Sequence, residues 1–334
     1  MSFTFTVFKG DKSGAPKKST TTKPDKLSGD SVLLKVTASG LCGTDLHYRK
    51  DDGMVLGHEG VGVVEATGPL CKVLKKGDRV GWGYEHDSCG HCHQCLTGAE
   101  TYCPERALYV YANRDQGSFA SHAIWREAFL FKIPDAISDA DAAPLMCGGA
   151  TVFNALNAYS ALPTETVGVM GVGGLGHLAI QFAAKMGCRV IVISSTESKK
   201  EEAMRLGAHE FVATKGQTEL KVSHPLDRLL VTTSGQPDWA QLVPILAPGA
   251  TIHPLSVDGG NFSIPYLPLI AVPITVQGSI VAPRYIQKRM LEFAALHQIR
   301  PVLEIFPMTE AGIVEAMDKL EKGQIHFRAV LVPQ

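Results

Sequence analysis

Residues 166–194, TVGVMGVGGLGHLAIQFAAKMGCRVIVIS, restrict the possible folds more than any other stretch of this 334-residue chain. A valine-rich apolar run ends in a glycine cluster, a segment with helical spacing follows, and a second apolar run closes it. Leu175, Leu178, Ala179, Phe182, Ala183 and Met186 recur at the spacing of one buried helix face. Strand, helix and strand in that order form a βαβ unit, whose two strands must lie parallel. Further strand-like runs follow in DRLLVTT, GATIHPLSV and PITVQGSIV. The expected fold class is therefore α/β, with a doubly wound parallel sheet over residues 148–281. Gly171, Gly173 and Gly176 stand in G-x-G-x-x-G register between strand and helix, with Gly174 and Leu175 inside the turn. Such glycines permit a tight turn and let a pyrophosphate approach a helix N-terminus.

The preceding residues have a different character. SVLLKVTASG, GVGVVEATG and GDRVGWG are short β-branched runs punctuated by glycine, which suggests a barrel-like β domain over residues 1–147. The tail, residues 282–334, adds a charged helix in RYIQKRMLEFAALHQ and a further helix and strand, and is expected to join the first domain. The N-terminus lacks a sustained apolar segment of secretory type, and no apolar run approaches the roughly 20 residues that span a bilayer. A formal net charge of −1 gives no bias toward nucleic acid or membrane, so a cytoplasmic protein is the default.

That compartment matters for the cysteines, because clustered thiols in a reducing environment are more often metal ligands than disulfides. Cys89, Cys92, Cys95 and Cys103 follow C-x2-C-x2-C-x7-C within a lobe at residues 86–104. Two-residue spacers let successive thiolates converge on one ion, and four thiolates fill all positions of a structural zinc. Free or paired thiols, or an iron–sulfur cluster, are the competing uses, although the spacing differs from the common ferredoxin runs. A second set is scattered: Cys42 in GLCGTDLH, His58 and Glu59 in GHEGVGVV, and Cys147 in APLMCGGAT, each beside glycines. Two cysteines and a histidine are the ligands of a catalytic zinc that keeps its fourth position open.

Together, GLCGTDLH, GHEGVGVV, SCGHCHQC, CGGAT and GVGGLG resemble the zinc-dependent medium-chain alcohol dehydrogenases, within them the cinnamyl alcohol dehydrogenase branch. The resemblance runs from residue 39 to about residue 330 and implies a GroES-like catalytic domain joined to a Rossmann domain. It implies two zinc ions per chain, one catalytic and one structural. Cys42, His58 and Cys147 would hold the catalytic zinc, with Glu59 able to approach or replace the open position. Asp45 would orient His58 through its other ring nitrogen. Thr44 and His47 would relay a proton between substrate and solvent, although His47 could simply be a surface histidine. Thr151, Thr232 and Ser279 would touch the cofactor. Arg328, in HFRAVL, would pair with the cofactor pyrophosphate or with a buried carboxylate. A homodimer through Rossmann edge strands near residues 272–282 is likewise implied. The segment between Cys42 and His58 is a few residues shorter than is usual in the family, which should reshape the substrate entrance.

The strand CRVIVISSTESKK bears on the choice of cofactor. NAD enzymes usually place Asp or Glu at its end to bind the ribose 2′-hydroxyl. Here Ser194, Ser195 and Thr196 stand there, followed by Lys199 and Lys200. Hydroxyls and an ammonium can donate to a 2′-phosphate that a carboxylate would repel, so NADP(H) is expected. Capping of the next helix by the same hydroxyls is compatible with that role. Trp82, Tyr84 and His86 fall where relatives line the substrate pocket, with core packing the other use for Trp82. A medium-sized aldehyde or alcohol, aromatic ones included, would suit such walls. Reduction of an activated C=C or C=N (iminium) bond on the same scaffold, or binding without catalysis, are the alternatives. Cys71 and Cys188 receive no function.

Overall fold

The structure is a computed structural model that describes residues 2–257 and 259–334. The chain divides into two units, one joining the residues up to Gly148 with Pro283–Gln334, the other Gly149–Ala282.

The second unit is a six-stranded, wholly parallel sheet. Its spatial order is Glu210–Ala213, Arg189–Ser194, Thr166–Met170, Leu226–Val231, Leu246–Pro254 and Thr275–Val276. Numbered within the unit this is 3-2-1-4-5-6, the doubly wound order whose direction reverses between the first and fourth strands. The helix Gly176–Lys185 fills the first crossover, with Leu178, Ala179, Phe182 and Ala183 fully buried, as the spacing requires. Ile191, Ile193, Leu229, Val231 and Ile252 form a core beside the sheet. The run read as a strand across 273–281 pairs only at Thr275–Val276. Pro273, which lacks a backbone N–H, and the flexible Gly278 bracket it.

In the first unit the eleven-residue strand Ser31–Leu41 is central. It pairs along one edge with Glu59–Thr67 and along the other with His122–Arg126 and then Arg328–Val332. These pairings are antiparallel, and Leu303–Pro307 adds in parallel to Arg328–Val332. Val32, Leu34, Val36, Val64, Trp82 and Trp125 pack between these elements. Functional candidates sit where the regular pairing stops: Cys42 follows Leu41, His58 precedes Glu59, and Arg328 opens the last strand. Among the described residues no helix is long and apolar enough to cross a membrane.

Candidate active site

Cys42, His58, Glu59 and Cys147 are far apart in the chain, yet one ligand atom from each lies within 4.8 Å of all the others. Cys42 directly follows the central strand and caps the short helix Gly43–Tyr48, while Cys147 sits in a π-helical turn, Leu145–Gly149. Such turns widen the helix locally and recur at functional sites. His58 is 1% exposed. Its Nδ1 pairs with Asp45 Oδ1 at 3.1 Å, whereas Nε2 is buried with no hydrogen-bond partner among the described residues. A buried nitrogen without a partner costs about 1–3 kcal/mol, and a cation between it and the two sulfurs would remove that cost. The donor set of two sulfurs and one imidazole therefore fits zinc.

Asp45 is itself fully buried and saturated with donors. Its Oδ2 accepts from the Cys42 amide at 3.0 Å and its Oδ1 from the Gly57 amide at 3.2 Å. Burial disfavours a charged imidazole, but the Asp45 carboxylate and the Cys42 sulfur outweigh it and hold His58 well above the usual histidine range. A hydrogen bond from Cys147 and the charge of His58 hold Cys42 well below the ordinary thiol value, and the same bond pushes Cys147 well above it. The pair thus favours one thiolate and one thiol.

Glu59 is fully buried, and both its oxygens accept from Arg328 Nη2, at 2.6 Å for Oε1. Of the two partners open to Arg328 in the sequence, the buried carboxylate is the one it meets. Burial pushes Glu59 up to about 7 against the pull of the guanidinium. Gly40 makes this possible, since a Cβ there would lie 1.9 Å from Glu59 Oε2.

Thr44 Oγ1 lies 3.7 Å from Cys42 Sγ, and His47 is exposed on the same short helix. Of the two uses open to Trp82, the structure shows core packing: it is fully buried, because its strand turns that face inward. His86 packs against Trp125 at 5.2 Å. Tyr84 sits edge-on to His58 at 5.6 Å. Beside it stands Tyr109, which the sequence did not single out; ALYVYANRDQG has no spacing that would mark it.

In the lobe, one sulfur from each of Cys89, Cys92, Cys95 and Cys103 lies within 4.8 Å of the rest. The Cys89–Cys95 and Cys92–Cys95 sulfurs are 3.9 and 3.5 Å apart. These spacings are close to the roughly 3.7 Å edge of a tetrahedron of zinc thiolates. Hydrogen bonding from the His91 amide draws Cys89 down to about 7, the range in which a thiol readily becomes a metal-binding thiolate.

In the parallel unit, Gly171 has φ +94°, a left-handed conformation that glycine adopts without strain. A Cβ on Gly176 would sit 2.0 Å from the Gly171 carbonyl oxygen, so the helix can start this close to the strand only with glycine there. Gly173 has open space where a side chain would be, and it leads through Gly174 and Leu175 into the helix. The Thr232 hydroxyl donates to the carbonyls of Met170 and Gly171, at 2.8 and 3.2 Å, bracing the turn from the neighbouring strand. Lys199 Nζ reaches back to the Val172 carbonyl at 2.7 Å, joining the end of the second strand to the glycine turn. Ser194, Ser195 and Thr196 stand at that strand end, and Thr196 Oγ1 contacts Ser198 Oγ at 2.9 Å rather than capping the helix. Thr151 is buried in the helix Ala150–Asn157. Ser279 Oγ is buried with no partner among the described residues. The glycine turn and this unpartnered hydroxyl suit a dinucleotide.

Residues 28–135 match the alcohol dehydrogenase GroES-like domain, and residues 174–296 match the zinc-binding dehydrogenase family. An alcohol dehydrogenase of Geobacillus stearothermophilus is 32% identical, the alignment covering 92% of each chain. Cinnamyl alcohol dehydrogenase 8 of Arabidopsis thaliana is 33% identical over 90% of this chain and 87% of its own. Among solved structures, a cinnamyl alcohol dehydrogenase from Sorghum bicolor superposes with a TM-score of 0.86 at 31% identity, covering 99% of this chain and 98% of that one. The chain therefore belongs to the zinc-dependent medium-chain alcohol dehydrogenases, in their cinnamyl alcohol dehydrogenase-like branch, with a GroES-like domain and a Rossmann domain.

Proposed function

We propose that this chain is a zinc-requiring, NADP(H)-dependent alcohol dehydrogenase or aldehyde reductase acting on medium-sized substrates, aromatic aldehydes included. The observation that carries the reading is the convergence of Cys42, His58 and Cys147 around a buried, unpartnered imidazole nitrogen. In this reading Cys42, His58 and Cys147 hold the catalytic zinc, with Glu59 beside them, and Cys89, Cys92, Cys95 and Cys103 hold the structural one. When bound, zinc polarises a carbonyl and the nicotinamide exchanges a hydride with its carbon. Asp45 keeps the imidazole in the tautomer that presents Nε2. Thr44, next to Cys42, passes the alcohol proton outward, and the exposed His47 exchanges it with solvent. Tyr84 supplies an aromatic wall. The catalytic domain comprises residues 1–147 and 282–334, and residues 148–281 bind the cofactor.

For the cofactor, Ser194, Ser195, Thr196 and Lys199 receive the 2′-phosphate. Gly171, Gly173, Gly174, Leu175 and Gly176 receive the pyrophosphate, and Thr151, Thr232 and Ser279 complete the contacts. Support comes from the hydroxyls and ammonium that replace a carboxylate at the strand end. A homodimer through the sheet edge at Thr275–Val276 is favoured by exposed Tyr266, Leu267 and Ile270 nearby.

The test measures zinc content per chain together with NADPH and NADH kinetics on an aldehyde panel. Two zincs, loss of aldehyde reduction on chelation and tighter NADPH than NADH are expected. Replacing Lys199 by Ala should weaken NADPH and leave NADH nearly unchanged. Undiminished aldehyde reduction by Cys42→Ser would remove zinc from the chemistry. Preference for NADH would return Ser194–Thr196 to a structural role.

A further inference from the structure

Tyr109 has no part in the reading above, yet it touches two members of the metal centre. It is 2% exposed, and its ring lies 5.0 Å from that of His58, tilted by 30°. Its phenol donates to Asp45 Oδ1 at 3.3 Å, the oxygen that also receives His58 Nδ1–H. One carboxylate oxygen thus gathers donors from Tyr109, His58 and the Gly57 amide, while the other holds the Cys42 amide. The backbone on either side of Tyr109 is tied down. Its own amide donates to the Tyr84 carbonyl at 2.7 Å, and the next residue, Val110, has φ +78°. A β-branched residue in the left-handed region is strained, and such strain persists only where the surroundings over-determine it.

We propose that Tyr109 is a positioning residue of the metal centre: its hydroxyl fixes Asp45 and its ring fixes the plane of His58, so that Nε2 stays aimed at the sulfurs of Cys42 and Cys147. A ring that merely filled space beside Met54, Tyr48 and Tyr84 would need no hydroxyl at Asp45. The inference rests on zinc binding at Cys42, His58 and Cys147.

The test uses the zinc-loaded enzyme and follows zinc release to a chromogenic chelator, which resolves two sites as two kinetic phases. Tyr109→Phe keeps the ring and loses the hydroxyl; Tyr109→Leu loses both. Removing an outer partner of a metal-bound histidine typically weakens the metal by about 10- to 100-fold. Tyr109→Phe is therefore expected to accelerate one phase about tenfold. The four-cysteine phase and the thermal midpoint of the chelated protein should stay as in the parent, and Tyr109→Leu should accelerate the same phase further. Parental release of both zincs by Tyr109→Phe overturns the proposal and leaves the zinc reading standing. So does acceleration of both phases with a lowered midpoint, the mark of a packing role alone. A parent enzyme holding zinc only at the four cysteines overturns both.

Discussion

Removing the Arg328 guanidinium should destabilise the first unit by an amount set by its burial. Arg328 is 4% exposed and Glu59 is fully buried, so neither charge has much water to fall back on. Breaking a buried ion pair from one side generally costs about 3–5 kcal/mol, and Glu59, already raised to about 7, can limit that cost by taking up a proton once the guanidinium is gone. Arg328 Nε, however, is buried without a partner among the described residues. Deleting it recovers part of the roughly 1–3 kcal/mol that an orphan donor costs. Arg328→Met is therefore expected near the lower end, about 3 kcal/mol. With a urea slope of about 2 kcal/mol/M, the midpoint should fall by roughly 1.5 M. Tryptophan fluorescence suits the assay, since Trp82 and Trp125 are buried in the unit that holds the pair. Removing both charges in Glu59→Gln/Arg328→Met should restore much of the loss, because no lone charge remains. A single variant within about 0.5 kcal/mol of the parent, or losses that simply add in the double variant, would refute the reasoning.

Cys89→Ser should abolish one zinc per chain and expose the lobe at residues 86–104 to proteolysis, while Cys42→Ser should leave the lobe protected and the chain inactive. Limited proteolysis read beside zinc content separates the two, and equal cleavage of both variants would contradict the division of labour. His253 is buried with neither ring nitrogen partnered among the described residues, and burial drives it down from 6.5 to about 4. The unfolded chain takes a proton below about pH 6.5 that the folded chain refuses until about pH 4. Stability present above pH 6.5 is therefore lost as pH falls to 4, by about 3 kcal/mol. His253→Phe should flatten that slope; identical pH profiles for parent and variant would refute it.

How much of this could be read in the chain depended on the range of each interaction. The βαβ unit was legible because its signals are local: helix spacing from Leu175 to Met186 and glycines at fixed offsets produce the crossover whatever surrounds it. The four-cysteine lobe was legible for the same reason, all four cysteines lying between residues 89 and 103. Cys42, His58 and Cys147 carry no mutual spacing, and only resemblance grouped them; strand ends at Leu41 and Glu59 and the turn at Leu145–Gly149 bring them together. Trp82 and Tyr84 look equivalent in GWGYEHD, yet Trp82 ends the strand Arg79–Trp82 with its ring in the core, while Tyr84 lies past the strand end beside His58. Tyr109 was illegible because Asp45 and His58 lie in distant parts of the chain and its own neighbourhood is irregular, ending in a left-handed valine. Local patterns therefore specify the glycine turn and the four-cysteine lobe, and not the scattered set at Cys42, His58 and Cys147. What holds these three side chains at the right angle is written in contacts between loops, and short periodic motifs leave no record of those.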